Sequence, residues 1–148
     1  MKTVVLAVAA SLALIGCATL TGSSTQSVSV ETVERSGNRV AGAECRLNND
    51  KGIWTVKAPT HVQVGRSGED LSVHCTAEGH EPGLVKVVSR ANGGMVGNVV
   101  FGGVVGALVD NSGAGYDYPA VIRVVMGASL VLDKRDEDPN APAPVIAA

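Results

Sequence analysis

Two stretches decide the fold: Ala41-Gly42-Ala43-Glu44-Cys45-Arg46-Leu47 and Leu71-Ser72-Val73-His74-Cys75-Thr76. In each, small or apolar residues alternate with polar ones at a period of two, which sends successive side chains to opposite faces of a strand. Ala41, Ala43, Cys45 and Leu47 share one face, as do Leu71, Val73 and Cys75. The same alternation appears upstream at Val28 and Val30, and between the two stretches at Trp54 and Val56 and at Val62 and Val64. Downstream, Ala120 to Met126 and Ser129 to Leu132 are rich in Val and Ile around Gly127. Turn-forming residues separate these runs: Asn48-Asn49-Asp50-Lys51-Gly52, Ala58-Pro59, Arg66-Ser67-Gly68 and Glu81-Pro82-Gly83. Short strands spaced by turns imply a mainly β chain, a small antiparallel β-sandwich spanning residues 28–132.

The segments outside those runs have a different composition. Met1-Lys2 followed by an apolar run from Val4 to Ile15 is too short for the roughly 20 residues that cross a bilayer, and it has the build of an export signal helix that is later cleaved. It ends in Leu14-Ile15-Gly16-Cys17, which resembles the lipobox of bacterial lipoproteins. The resemblance implies cleavage after residue 16, diacylglycerol on the Cys17 thiol and an acyl chain such as palmitate on its amino group. Ala18 after the cysteine resembles the sorting pattern that implies the outer membrane, with the domain facing the periplasm. Each buried methylene favours membrane association by about 0.8 kcal/mol, so two or three chains anchor durably. Residues 17–27, small and polar after the cysteine, are expected to form the tether. Asp133 to Asp138 and the Pro/Ala-rich stretch after it are expected to form a disordered tail, 133–148.

Removing sixteen of the 148 residues leaves 132, enough for one domain, and takes away one charge, Lys2, from a formal net charge of −2. No basic excess remains to select phosphate backbones, so nucleic acid is not an expected partner. Two cysteines remain after lipidation, and the alternation turns Cys45 and Cys75 the same way. In an oxidising compartment a disulfide between them is the expectation, with two free buried thiols as the alternative.

Residues 40–88 resemble PEGA-type modules and related carboxypeptidase-regulatory-like sandwiches. The matching features are Val40-Ala41-Gly42-Ala43 entering a strand, the Asn49-Asp50-Lys51-Gly52 turn, Thr55-Val56-Lys57-Ala58-Pro59, Arg66 to Val73, and Glu78-Gly79-His80-Glu81-Pro82-Gly83. Position 80 departs from the pattern, which has an aromatic residue there. The resemblance implies a sandwich used in attachment or assembly, without chemistry of its own. The whole chain is also similar to short bacterial lipoproteins that join such a module to a Gly-rich stretch and a Tyr-Xaa-Tyr-Pro element, here Tyr116-Asp117-Tyr118-Pro119.

Chemical sites find little support in the spacing. His61, His74 and His80 with Cys45 and Cys75 could supply zinc ligands, and His74 and His80 stand at His-x₅-His spacing, but no Cys-x-x-Cys pair accompanies them and the adjacent His74 and Cys75 would leave opposite faces of a strand, so no metal is expected. Ser67 lacks a nucleophile elbow and is expected to be a turn residue, while Glu69-Asp70 and Asp136-Glu137-Asp138 fall in a turn and a tail. No catalytic residue and no cofactor is therefore expected. Residues 93–115 form a Gly-rich insertion in which Gly94, Asn98, Gly102 and Gly106 recur every four positions. On a helix these residues would make a smooth stripe for close packing, the preferred reading for Met95 to Val109. A hairpin turning at Gly102-Gly103 is the alternative. Together these readings describe a lipid-anchored structural or binding component of the cell envelope, whose partner is the membrane and, beyond it, another envelope protein or peptidoglycan. The alternative is a protein that inserts into a membrane or oligomerises through the Gly-rich stretch.

Overall fold

The computed structural model describes residues 23–92 and 113–137, and these form ten strands and a short 3-10 helix. The strands are β1 (Thr25–Val33), β2 (Glu44–Asn49), β3 (Gly52–Lys57), β4 (Thr60–Gly65), β5 (Leu71–Thr76), β6 (Gly83–Val87), β7 (Arg90–Ala91), β8 (Tyr116–Asp117), β9 (Val121–Val125) and β10 (Ser129–Leu132). They make three open sheets: a five-stranded one in the order β10-β6-β5-β2-β3, a three-stranded one in the order β4-β1-β9, and the β7-β8 ribbon. The chain is mainly β, as the period of two implies.

The two larger sheets share one core. Val28 and Val30 of β1, Val64 of β4, and Ile122 and Val124 of β9 contribute from one side. Cys45, Leu47, Val73, Cys75, Val85 and Val87 contribute from the other, and all are buried. A buried Val, Leu or Ile stabilises by about 1.5–3 kcal/mol relative to exposure, so these inward faces hold the sheets together. The outward positions Glu44, Arg46, Ser72, His74 and Thr76 are exposed, so the alternation that predicted the strands also sorts their faces.

Cys45 lies directly opposite Cys75 across the β2/β5 pair, and the two form a disulfide with Cα atoms 4.0 Å apart. It staples neighbouring strands within one sheet. At Asn49 to Gly52 the side-chain Oδ1 of Asn49 accepts hydrogen bonds from the Lys51 N–H (2.8 Å) and the Gly52 N–H (3.2 Å), which closes the β2–β3 hairpin.

Several expectations change. The sheets are mixed rather than purely antiparallel, because β9 runs parallel to β1 and β10 parallel to β6. Alternation specifies which face is buried but carries no information on a strand's neighbour or direction. The two C-terminal runs become β9 and β10 in different sheets, with the chain turning between them at Gly127 (φ 73°). Ala41 is exposed and the inward phase begins only at Ala43, since Gly42 (φ 81°) interrupts the extended backbone. A strand unread in the sequence, β6, opens at Gly83, where an added Cβ would stand 2.7 Å from both Val124 Cγ1 and the Val125 carbonyl. There glycine permits β6 and β9 to approach closely.

The folded chain also extends past both expected boundaries. Thr25, Gln26 and Ser27, read as tether, belong to β1, and Asp133 with the 3-10 helix Lys134–Glu137 follows β10 directly. Polar side chains suit β1 there because its start lies at the rim of the sheet, where Gln26 finds backbone partners. The signal segment, Cys17, most of the Gly-rich insertion and residues 138–148 lie outside the described residues.

Candidate functional site

Arg90↔Asp117 and Ala91↔Tyr116 pair β7 with β8, and this ribbon brackets both ends of the segment 93–112. Backbone and side chain of Asn92 continue the closure. Its N–H donates to the Gly115 carbonyl (2.8 Å), and its Nδ2 donates to the Ala114 carbonyl (2.8 Å) and to Asp117 Oδ1 (3.0 Å). Gly113 (φ 77°) admits no side chain, because a Cβ would meet the Arg66 carbonyl at 1.9 Å.

Arg66 ties this ribbon to the beginning of the domain. Its N–H donates to the Ser24 carbonyl (2.8 Å) and its Nε to the Thr25 carbonyl (3.1 Å), while its Nη1 pairs with Asp117 and reaches the Tyr116 carbonyl (3.4 Å). Lys134 Nζ adds a contact to the other Asp117 oxygen at 3.2 Å. Arg90 grips Asp133 with two donors, one of them Nε to Oδ1 at 3.0 Å, and Asp133 also accepts from Arg135 (3.2 Å). Asp70 accepts from the Ser89 N–H (3.0 Å) and pairs with Lys86 (3.0 Å). Arginine suits position 90 because its planar fork gives two parallel donors to the Asp133 carboxylate.

The charges respond in a consistent sense. Burial pushes the Asp117 carboxyl up, but hydrogen bonds from Asn92 and Lys134 and the charges of Arg66 and Lys134 outweigh it and hold it below the usual range. Burial likewise opposes the Ser89 and Lys86 bonds at Asp70, and the net direction is again down. The bond from Arg90 holds Asp133 far below the ordinary carboxylate value. All three remain ionised at any pH near neutral.

The Tyr-Xaa-Tyr-Pro element supplies β8 of this collar with Tyr116 and Asp117 and continues inward as Tyr118 and Pro119. Tyr118 is 1 % exposed; its hydroxyl donates to the Glu69 carbonyl (2.7 Å) and accepts from Asn49 Nδ2 (2.9 Å). Its backbone is clamped by the Gln26 amide, which donates to the Tyr118 carbonyl (2.8 Å) and accepts from its N–H (3.0 Å). Tyr116 lays its ring over Gly68, where an added Cβ would meet Cζ at 3.2 Å. Ser67 is buried, donates to the Asp50 carboxylate and accepts from the Glu69 N–H (3.0 Å), so its hydroxyl orders a turn, with no histidine among its hydrogen-bond partners.

Of the residues singled out in the sequence, Cys45 and Cys75 are brought together, whereas His61 lies on β4, His74 on β5 and His80 in the connection between β5 and β6. Among the described residues no group of three or more His, Cys, Asp or Glu is placed to hold a metal ion. Cys17, Gly94, Gly102 and Gly106 are outside the described part. Sequence reasoning missed Arg66, Asp117, Arg90 and Asp133, which are separated widely along the chain and meet only through the fold. The opposite end of the domain carries shallow clefts around the Glu34–Asn38 turn. One, of about 210 Å³, is lined by Glu34, Arg35, His80, Glu81 and Met126, and two others flank Arg39.

No protein-family model, no curated protein and no solved structure matches the chain.

Proposed function

We propose that this chain is a lipid-anchored structural or binding protein of the bacterial cell envelope, without catalytic activity, held by Cys17 at the outer membrane with its PEGA-like β-sandwich in the periplasm. One observation carries the reading furthest: Ser24 and Thr25, near the N-terminal end of the described residues, meet the collar on Arg66. A lipidated N-terminal segment would therefore hold that end toward the membrane and leave the cleft-bearing end free for a partner, another envelope protein or peptidoglycan. The Cys45–Cys75 disulfide suits an oxidising compartment.

A second reading is favoured by the same geometry. Asn92 and Gly113, which flank the apolar Gly-rich segment, belong to the collar too, so that segment starts and ends where the anchor would be. Insertion into the bilayer, or oligomerisation through the glycines, is its natural use. One experiment separates the two: Cys17→Ala should abolish fatty-acid labelling and release the protein from the outer-membrane fraction. Loss of labelling with full retention in the membrane would favour the Gly-rich segment as the attachment, and unchanged labelling would overturn the lipoprotein reading.

A further inference from the structure

Arg39 stands between two clefts at the end of the domain remote from the collar. One, of about 230 Å³, is lined by Glu31, Val33, Gly37, Arg39 and Arg123. The other, of about 70 Å³, is an apolar crevice between Thr32, Val40, Ala41 and Pro59, with Glu31 and Arg39 at its rim. The backbone holds these walls in place. The Val40 N–H donates to the Thr32 carbonyl (2.9 Å), the buried Thr32 hydroxyl donates back to the Val40 carbonyl, and Val33 bridges Arg39. Glu31 is engaged by Arg123 at 3.4 Å. The exposed Arg39 guanidinium has no ion pair and no side-chain hydrogen bond among the described residues.

Two guanidinium groups against one carboxylate leave a net positive charge at this place, and an unengaged planar fork matches a carboxylate by two parallel hydrogen bonds. The neighbouring crevice selects among anions. Its volume is that of about two liquid waters at roughly 30 Å³ each, room for a methyl or slightly larger aliphatic group, and its Val, Ala and Pro walls offer such a group an apolar surface. We infer that the paired clefts around Arg39 bind the carboxy-terminal residue of a peptide, with its carboxylate on Arg39 and a short aliphatic side chain in the Val40–Pro59 crevice. This deepens the binding role proposed above and rests on it, but not on lipid attachment.

The test uses the full chain purified in detergent and the dipeptide Ala-Ala with a free carboxylate, followed by backbone amide shifts. Saturable shifts at Arg39 to Ala41 and at Arg123 are expected, with affinity about tenfold or more weaker for the dipeptide carboxamide. Arg39→Gln should abolish the response and Arg39→Lys should keep part of it. Ala41→Leu, which intrudes on the crevice from an exposed position, should weaken binding of Ala-Ala while leaving the thermal midpoint unchanged. Equal affinity for the carboxamide, or undiminished binding by Arg39→Gln, would overturn the inference. So would competition by inorganic phosphate at equal affinity, which would identify a general anion site. Because the measurement is made in solution, Cys17→Ala should bind as the parent does, so failure of the anchor and failure of the cleft are read separately.

Discussion

Tyr118 shows how much a single oxygen holds in place. Its hydroxyl satisfies both the Glu69 carbonyl and the Asn49 amide, and Asn49 Nδ2 in turn reaches the Gly65 carbonyl at 2.8 Å, so the ends of β2 and β4 and the turn after β4 are linked through Tyr118 and Asn49. Phenylalanine would fill the same space and leave those groups short of a partner in a buried place. Tyr118→Phe should therefore lower stability by about 1–3 kcal/mol, read from chemical unfolding, with the near-native core otherwise preserved. The tyrosine was visible in the sequence as part of a Tyr-Xaa-Tyr-Pro element, but its partners were not. Asn49 and Glu69 lie 69 and 49 residues away, and each looked like ordinary turn chemistry on its own.

Among the elements, the β7–β8 collar is the one held by charge more than by apolar burial. Asp117, Asp70 and Asp133 all have carboxyl groups held below their ordinary values in the folded protein. A lowered folded-state value means that the stability these groups add is complete above the unfolded-state value, about 3.9 for Asp, and is lost as pH falls through the lower folded values. The collar should therefore open below about pH 4 before the core does, seen as faster hydrogen exchange at Ala91 and Tyr116 than at Val28 or Val73. Asp117→Asn should flatten that acid dependence. Strand existence and facing were legible from alternation at Val28/Val30, Cys45/Leu47 and Leu71/Val73/Cys75. The two-residue strands of the collar were not, since Arg90-Ala91 and Tyr116-Asp117 are too short to show a period. Strand β6 escaped because its outward Leu84 is apolar and 44 % exposed, which blurs the pattern.

At the scale of the whole molecule, the disulfide is the one long-range restraint that the sequence disclosed. Facing phase and an even count of remaining cysteines sufficed for it, because directly opposed inward residues are what a β2/β5 pairing brings together. It closes a loop of sequence separation 30. On the chain-entropy model, replacing both Cys45 and Cys75 by Ala should cost about 2–5 kcal/mol, measured from the denaturant midpoint together with the slope, which should rise because the unfolded chain is no longer cross-linked. The parallel pairings were out of reach of the same reasoning, because nothing in residues 121–125 names β1 as their neighbour. Only the accumulated geometry of both sheets makes that choice.

The parallel contact between β1 and β9 also sets the order in which the molecule can be completed. Ser29 meets Val121 and Glu31 meets Arg123, residues 92 positions apart. A growing chain thus carries β1 with one flank bare until residues 121–125 have been made, and Val28 and Val30 lack Ile122 and Val124 beside them until then. Loop closure of that length opposes early pairing and places folding in the slow, non-local regime of milliseconds to seconds. Any chain stopped before residue 121 would retain an uncovered apolar strand edge, the kind of surface on which nascent chains adhere to one another.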